Sequence, residues 1–245
     1  RTSLDLGDAR MKILVTGAEG RLGRPLQDIW PQARFLSRSQ CDVSDWAQVA
    51  ALGAEQPTHI VHLAAATDYN ADPQKYLWSN IVGTAHMAAL ALLNNARLVF
   101  TSTVYVYPCE FGSYCEDDSL QPVGKYAWSK LGGEAAVRQV PNHLIIRGCW
   151  YDKLAWDTAA WDAYSTRLPA RQAAQWIKEL VLSDEQGVIN IGGPVRTLYD
   201  IVKEQNPNVR AISRDELSGL PYPFPASACV DTTRAAAFRA ARHAD

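Results

Sequence analysis

Three absences narrow the class of this chain. There is no CxxC pair, and the five cysteines (Cys41, Cys109, Cys115, Cys149, Cys229) are scattered and odd in number. This argues against a disulfide framework or a structural zinc site, so no metal is expected, and a reducing, cytoplasmic setting fits better. No apolar run reaches about 18 residues, so no transmembrane helix and no membrane partner are expected. Neither charge dominates: 24 Lys+Arg face 26 Asp+Glu, a formal charge of −2. That balance argues against a broad grip on nucleic acid or an anionic membrane surface, but leaves room for a local phosphate site. Residues 1–10 are polar and carry no apolar segment of the signal-peptide kind; they read as an upstream extension outside the fold.

With 245 residues, 47% of them hydrophobic, the chain suits one large domain or a domain with a small lobe. Short β-branched or apolar runs at 13–16, 33–37, 60–63, 98–100, 143–147 and 188–191 predict strands. Helical stretches are expected at 22–30, 44–54 (with Ser44 as N-cap), 74–94 and 126–140. Strands alternating with helices imply βαβ units and a parallel sheet covered on both faces. Residues 151–170 and 205–230 hold Trp, Tyr and Pro without periodicity, and read as a small irregular lobe over the sheet edge.

The turn Thr16-Gly17-Ala18-Glu19-Gly20-Arg21-Leu22-Gly23 follows the first strand and opens the first helix. Its glycines are spaced for a dinucleotide: Gly17 for a tight turn, Gly20 for close approach of backbone to a pyrophosphate, Gly23 for helix-on-strand packing. The helix start, with Arg21 and Leu22, offers N–H groups to phosphate. The fold class that follows is α/β, a doubly wound parallel sheet of the Rossmann type with a small C-terminal substrate lobe. Residues 11–150 would form the NAD(P)-binding core, and 151–245 the last strand, further helices and the lobe. At the end of the second strand stands Ser37-Arg38-Ser39, with no acid to hold the ribose hydroxyls. Arg38 therefore favours NADP, through its 2′-phosphate, over NAD. Asp42, beside Val43, either accepts from the adenine amino group or caps the next helix. Leu63, Ala64 and Ala65 form a small-residue patch against which a flat cofactor can lie.

Tyr126 and Lys130 stand four apart on a predicted helix and share one face. A phenol titrates near pH 10, too high for a base at neutral pH, and a neighbouring ammonium lowers it. Thr101-Ser102-Thr103 ends the fourth strand at the carboxyl edge of the sheet, where hydroxyls can hydrogen-bond a substrate carbonyl. His62 and His143 lie in strands and read as core histidines. Cys109 and Cys115 read as an incidental pair of free thiols.

Seven segments then stand in a familiar order: TGAEGRLG (16–23), HLAAAT (62–67), Asn80 within NIVGT, TSTVYVYP (101–108), YAWSK (126–130), GGE (132–134) and IIRGCW (145–150). Over roughly residues 11–150 the chain resembles the extended short-chain dehydrogenase/reductases, also called the NAD-dependent epimerase/dehydratase family. Within it, the run at 145–150 and the late CVDTT at 229–233 resemble dTDP-4-dehydrorhamnose reductase-like sugar-nucleotide reductases. The resemblance implies Tyr126 as general acid/base, Lys130 as the group that tunes it and holds the cofactor ribose, and Thr103 as the hydroxyl that orients the substrate carbonyl, with Ser102 as the fallback. It implies Asn80 near the cofactor, and Thr67 and Trp150 near the sugar. The reaction implied is hydride transfer from NAD(P)H to a keto group on a nucleotide-linked deoxysugar. The alternatives are a nucleotide-sugar 4-epimerase with tightly held NAD, and a dinucleotide sensor without catalysis. A homodimer through helices 74–94 and 126–140 is also implied. The chain departs from the pattern where the reductases carry Asp after the threonine and Val104 stands here. Val104-Tyr105 also lacks the acid pair of the sugar dehydratases. The stretch between Arg147 and Tyr164 is short, which leaves the sugar itself open.

Overall fold

The computed structural model describes residues 11–68, 71–217 and 223–242. Six apolar runs form the strands β1 (Ile13–Thr16), β2 (Arg34–Leu36), β3 (His59–His62), β4 (Arg97–Thr101), β5 (His143–Arg147) and β6 (Gly187–Asn190). They make one parallel sheet in the order β6-β5-β4-β3-β1-β2. Among the described residues seven helices accompany them: α1 (Gly23–Ile29), α2 (Trp46–Ala51), α3 (Pro73–Asn94), α4 (Gly124–Val137), α5 (Ala170–Val181), α6 (Leu198–Lys203) and α7 (Thr233–Arg242).

Alternation along each strand explains why the runs are apolar throughout. Ile13 and Val15 of β1 join Val61, Val99, Ile146 and Ile189 in one core layer, closed by side chains of α1, α5 and α7. Leu14 points the other way and joins Ile60, Leu98, Phe100 and Ile145 under α2, α3 and α4. A strand buried on both faces has no polar side to show. The chain is therefore a doubly wound α/β sheet, as the alternation of elements implies. Strand order reverses around β1, so a crevice opens outside the carboxyl ends of β1 and β3.

Four local expectations need revision. The cap of α2 is Asp45, whose carboxylate accepts from the Ala47 and Gln48 amides. Ser44 instead gives its hydroxyl to Asp42. The 74–94 helix starts at Pro73, capped by Asp72, and takes a π-helical form over Tyr76–Val82 before becoming regular over Gly83–Asn94. By length and composition α3 is apolar enough to cross a membrane, and 44% of its apolar window is buried inside the fold. A count of unbroken apolar residues misses it because polar residues interrupt the run. Finally, α5 is an addition: Ala173, Ala174, Ile177, Leu180 and Val181 are the spacing of one buried helix face.

The lobe beyond β5 is less irregular than its sequence. Trp150–Tyr151 pairs with Leu168–Pro169, Thr158–Ala160 pairs with Arg210–Ile212, and Tyr164–Ser165 lies between Arg196–Thr197 and Ser227–Ala228. Strands of two or three residues, paired across long sequence separations, leave no periodicity to read. All five cysteines are free thiols.

Candidate functional site

Gly17 carries φ +79°, a conformation that L side chains avoid, and a Cβ there would lie 2.7 Å from the Ala64 amide nitrogen. The turn after β1 and the end of β3 thus touch backbone to backbone. Gly23 packs the start of α1 onto the same turn, where a Cβ would lie 2.1 Å from the Gly17 carbonyl oxygen. Above this junction lies a cleft of about 580 Å³, within the range of small-molecule sites. Gly17, Gly20, Arg38, Asp42, Val43, Leu63, Ala64 and Ala65, all expected at a cofactor, line it. A flat dinucleotide fits such a cradle, because the glycines and alanines leave backbone as its floor.

Four other expected cofactor residues sit elsewhere. Arg21 is exposed and donates from Nη1 to the Trp150 carbonyl oxygen at 3.1 Å. Leu22 sends its side chain into the core beside Leu26. Gly23 serves the packing just described. Asn80 is fully buried: its Oδ1 accepts from the Ala66 amide at 2.7 Å, and its Nδ2 donates to the Ala66 carbonyl at 3.0 Å and to Ser129 Oγ at 2.8 Å. Those bonds fix a wall of the cleft and tie it to α4, so Asn80 acts on the cleft from behind. The far wall escaped sequence reasoning. Asp72, Gln74, Lys75, Trp78 and Ser79 also line the cleft, at the start of α3 and in its π turn. The Asp72-Pro73 cap signal is visible in the sequence, but a π turn beside a cleft, a frequent functional feature, has no such signal.

Tyr126 and Lys130 lie one turn apart on α4. Tyr126 is half-buried, with its ring 6.3 Å from that of Tyr76. Lys130 is 2% exposed, and its Nζ stands 4.0 Å from the centre of the Phe100 ring. His62 stacks on the same Phe100 ring, with centroids 5.7 Å apart, and is held between the Thr16 and Thr84 hydroxyls at 2.8 and 3.1 Å. It is a core histidine, which burial and then the Lys130 charge push down to about 3. Burial likewise pushes Lys130 down to about 7, against the pull of Glu134. The charge that would depress the Tyr126 phenol is therefore one that the interior opposes.

That opposition has a sign in stability. An unfolded lysine keeps its proton to about pH 10.4, whereas the folded one gives it up from about 7. Between those values the unfolded chain holds the extra proton, so stability rises with pH across the window. The destabilisation is complete below pH 7 and is worth several kcal/mol at about 1.4 kcal/mol per pH unit. Lys130→Met is expected to raise Tm at pH 7, with the gain shrinking towards about pH 10. Thermal melts of both proteins across that range check it; a gain that does not shrink would assign the effect to packing.

Thr103 follows β4 and is buried, its Oγ1 accepting from the Tyr105 amide at 3.3 Å, which leaves the O–H proton to donate. Ser102 is different: it is buried, and its hydroxyl donates to Glu134 Oε1 at 2.5 Å, so in this structure its proton is engaged by the carboxylate and not turned to the crevice. Glu134 in turn receives Nε and Nη2 of Arg147 at 3.0 and 2.7 Å. Trp150 is half-buried against the core cluster, and Thr67 is exposed just past the cleft wall. No group of three or more His, Cys, Asp or Glu side chains placed to hold a metal occurs among the described residues.

Comparison with known proteins follows this geometry. A dTDP-4-dehydrorhamnose reductase of Streptomyces griseus is 34% identical over 152 residues, which are 58% of this chain and 50% of that protein. The matched region thus spans about half the length of that relative. Among solved structures, the dTDP-4-dehydrorhamnose reductase of Bacillus anthracis in complex with NADP superposes with a TM-score of 0.82 at 20% identity, covering 93% of this chain and 91% of the other. The Bordetella bronchiseptica enzyme WbmG, in complex with NAD and UDP, gives 0.75 at 21% identity, covering 93% and 88%. These likenesses show the fold. Residues 11–155 match the RmlD substrate binding domain, and because that match takes in more than half of the sequence, the chain belongs to the RmlD substrate binding domain family.

Proposed function

We propose that this chain is an NADPH-dependent oxidoreductase that reduces a keto group on a nucleotide-linked deoxysugar. One observation carries the reading: the crevice at the reversal of strand order is lined by Gly17, Gly20, Arg38 and the Leu63–Ala66 segment, in a chain 34% identical over 152 residues to a dTDP-4-dehydrorhamnose reductase. Gly17, Gly20 and Ala64 would hold the dinucleotide's backbone-facing side, and Arg38 its 2′-phosphate. When bound, the nicotinamide supplies the hydride. Thr103 donates a hydrogen bond to the substrate carbonyl and shares the charge that develops on its oxygen. Tyr126 delivers its phenolic proton to that oxygen as general acid. Lys130, one turn along α4, favours the phenolate that remains. Asn80 and Ser129 hold the Tyr126 turn against the cleft wall, since Ser129 Oγ donates to the Tyr126 carbonyl at 2.6 Å.

The test is a coenzyme assay with dTDP-linked 4-keto-6-deoxy sugar. NADPH oxidation in equal amount to sugar reduced is the expected result. Conversion of the sugar to an epimer without net coenzyme turnover would replace the reductase by an epimerase. Failure to bind either coenzyme, by calorimetry, would remove the enzyme reading altogether.

A further inference from the structure

We propose that Tyr76 is a positioning residue for the reduction, its ring setting the Tyr126 phenol and its hydroxyl fixing the segment that carries Thr67; the inference rests on the reductase reading given above. Tyr76 opens the π turn of α3 and is 3% exposed. Its hydroxyl donates to the Asp68 carbonyl, which also accepts from the Ala71 amide. Four positions on, Asn80 holds both the amide and the carbonyl of Ala66. Thr67 therefore stands between two residues whose main chain is fastened to the same turn. Thr67 and Asp68 are themselves exposed, so these bonds reach the segment from its buried side.

The ring of the same side chain meets the proposed acid. Its centroid lies 6.3 Å from that of Tyr126, with the planes tilted by 58°, in the range of aromatic pairs that attract. The helix that carries Tyr126 is held against the π turn at close range. A Cβ at Gly133 would lie 2.9 Å from the Asn80 carbonyl oxygen, and Asn80 Nδ2 donates to Ser129 Oγ. The place of α4 is thus fixed near its backbone, and the Tyr76 ring acts on a freedom this leaves, the swing of the Tyr126 side chain. Tyr76 is not a second acid. Burial, and then the Asp68 charge, raise its phenol above the ordinary value, and its proton is committed to a backbone carbonyl. Its influence on the reaction goes through Tyr126 and the Thr67 segment. Misplacing a reacting group by about 1 Å can cost about 10²-fold in rate, so a ring that limits the swing of the acid matters without touching the substrate.

Single-turnover reduction of a dTDP-linked 4-keto-6-deoxy sugar by NADPH tests this in five proteins: wild type, Tyr76→Phe, Tyr76→Leu, Tyr126→Phe and Tyr76→Leu/Tyr126→Phe. Tyr76→Phe keeps the ring and drops one hydrogen bond. The sugar concentration for half-saturation should rise roughly two- to tenfold, the scale of one such bond, with the saturated rate nearly unaltered. Tyr76→Leu removes the ring, and the saturated rate should fall by about 10–100-fold. In the Tyr126→Phe background that fall should nearly vanish, because no phenol remains to misplace, whereas any loss of Tm from the smaller side chain stays the same in both backgrounds. Should Tyr76→Leu fail to fold, Tyr76→Met, which fills more of the space, is read in the same way. An equal fall in the two backgrounds would make Tyr76 a packing residue only and overturn the proposal. A wild-type rate in Tyr76→Leu, or wild-type half-saturation in Tyr76→Phe, would overturn it too. Wild type that binds NADPH but reduces no sugar overturns the reductase reading and takes the proposal with it; that failure shows in wild type alone and is distinct from the others.

Discussion

Tyr126→Phe is expected to lower turnover on a keto sugar by about 10²–10⁴-fold, the usual contribution of a positioned general acid. The change deletes one hydroxyl and keeps the ring, so the packing against Tyr76 survives. Tyr126 does not line the cleft beside Gly17 and Arg38, and NADPH binding should be nearly unaltered. The two effects separate in one pair of measurements, a single-turnover rate and a coenzyme titration. Loss in both would point to a disturbed α4 and not to a missing proton. Full activity in the variant would remove Tyr126 from the reaction. A companion Lys130→Arg variant sharpens the result. It keeps a cation one turn from the phenol but must bury a larger guanidinium where Lys130 is 2% exposed, so part of the activity, and a shifted pH profile, should remain.

The second large effect concerns the charge pair beneath the site. Arg147 and Glu134 are each about 1% exposed and lie 2.7 Å apart. The Arg147 guanidinium also donates to the Tyr107 hydroxyl at 2.8 Å and to the Glu116 carbonyl at 3.0 Å. The Tyr107 hydroxyl continues to Asn190 Oδ1 at 3.0 Å. Burial works against the arginine's charge, but the Glu134 bonds outweigh it and hold its pKa above the ordinary value. Arg147→Ala leaves a buried carboxylate with Ser102, a distant Arg138 and the nearby charge of Lys130, which the interior itself opposes. Breaking such a pair from one side costs about 3–5 kcal/mol. At about 2–4 °C per kcal/mol for a chain of this size, Tm should fall by roughly 6–20 °C. The double variant Glu134→Leu/Arg147→Met, which removes both charges, should recover much of that loss. Circular dichroism melts of the single and double variants decide the matter: a double variant no better than the single would mean that the hydrogen bonds, and not the orphaned charge, hold this region.

How much of this was legible in advance depended on whether a residue's role is local. The glycine turn and the two-faced strands report on their own neighbourhoods, and the cleft lining at Gly17, Gly20, Arg38, Asp42 and Leu63–Ala65 was readable from them. The bond of Ser102 to Glu134 was not legible, because its partner comes from another element 32 positions along the chain. The motif GGE at 132–134 was noticed, but nothing in its spelling says that the acid turns inward to an arginine on β5. Of the two roles that Asp42 offered in sequence, the helix cap falls to Asp45, and its bonds to Arg38 and Ser44 were not legible because a turn sets them. The lobe was least legible of all. Its strands are too short to show a period, and their partners lie 18 to 63 residues away.

The place of β6 has a consequence for cutting this chain. Residues 11–155 are the part that matches the family, yet the sheet is completed by Gly187–Asn190 on the outer side of β5. Arg97, on β4, reaches the carbonyl oxygens of Leu180 and Glu185, and Asn190 receives the buried chain of bonds that starts at Ser102. A fragment ended at residue 155 would expose the whole edge of β5, a mainly apolar strand with open amides and carbonyls whose one arginine, Arg147, is turned inward to Glu134 and does not guard the edge, the pattern that templates aggregation. The segment shared with its relatives is therefore a unit of descent and not a unit of assembly. During synthesis the ribosome must deliver some thirty further residues before the sheet can shut, which makes the late strand the latch of a fold whose glycine turn and Tyr126–Lys130 segment long precede it.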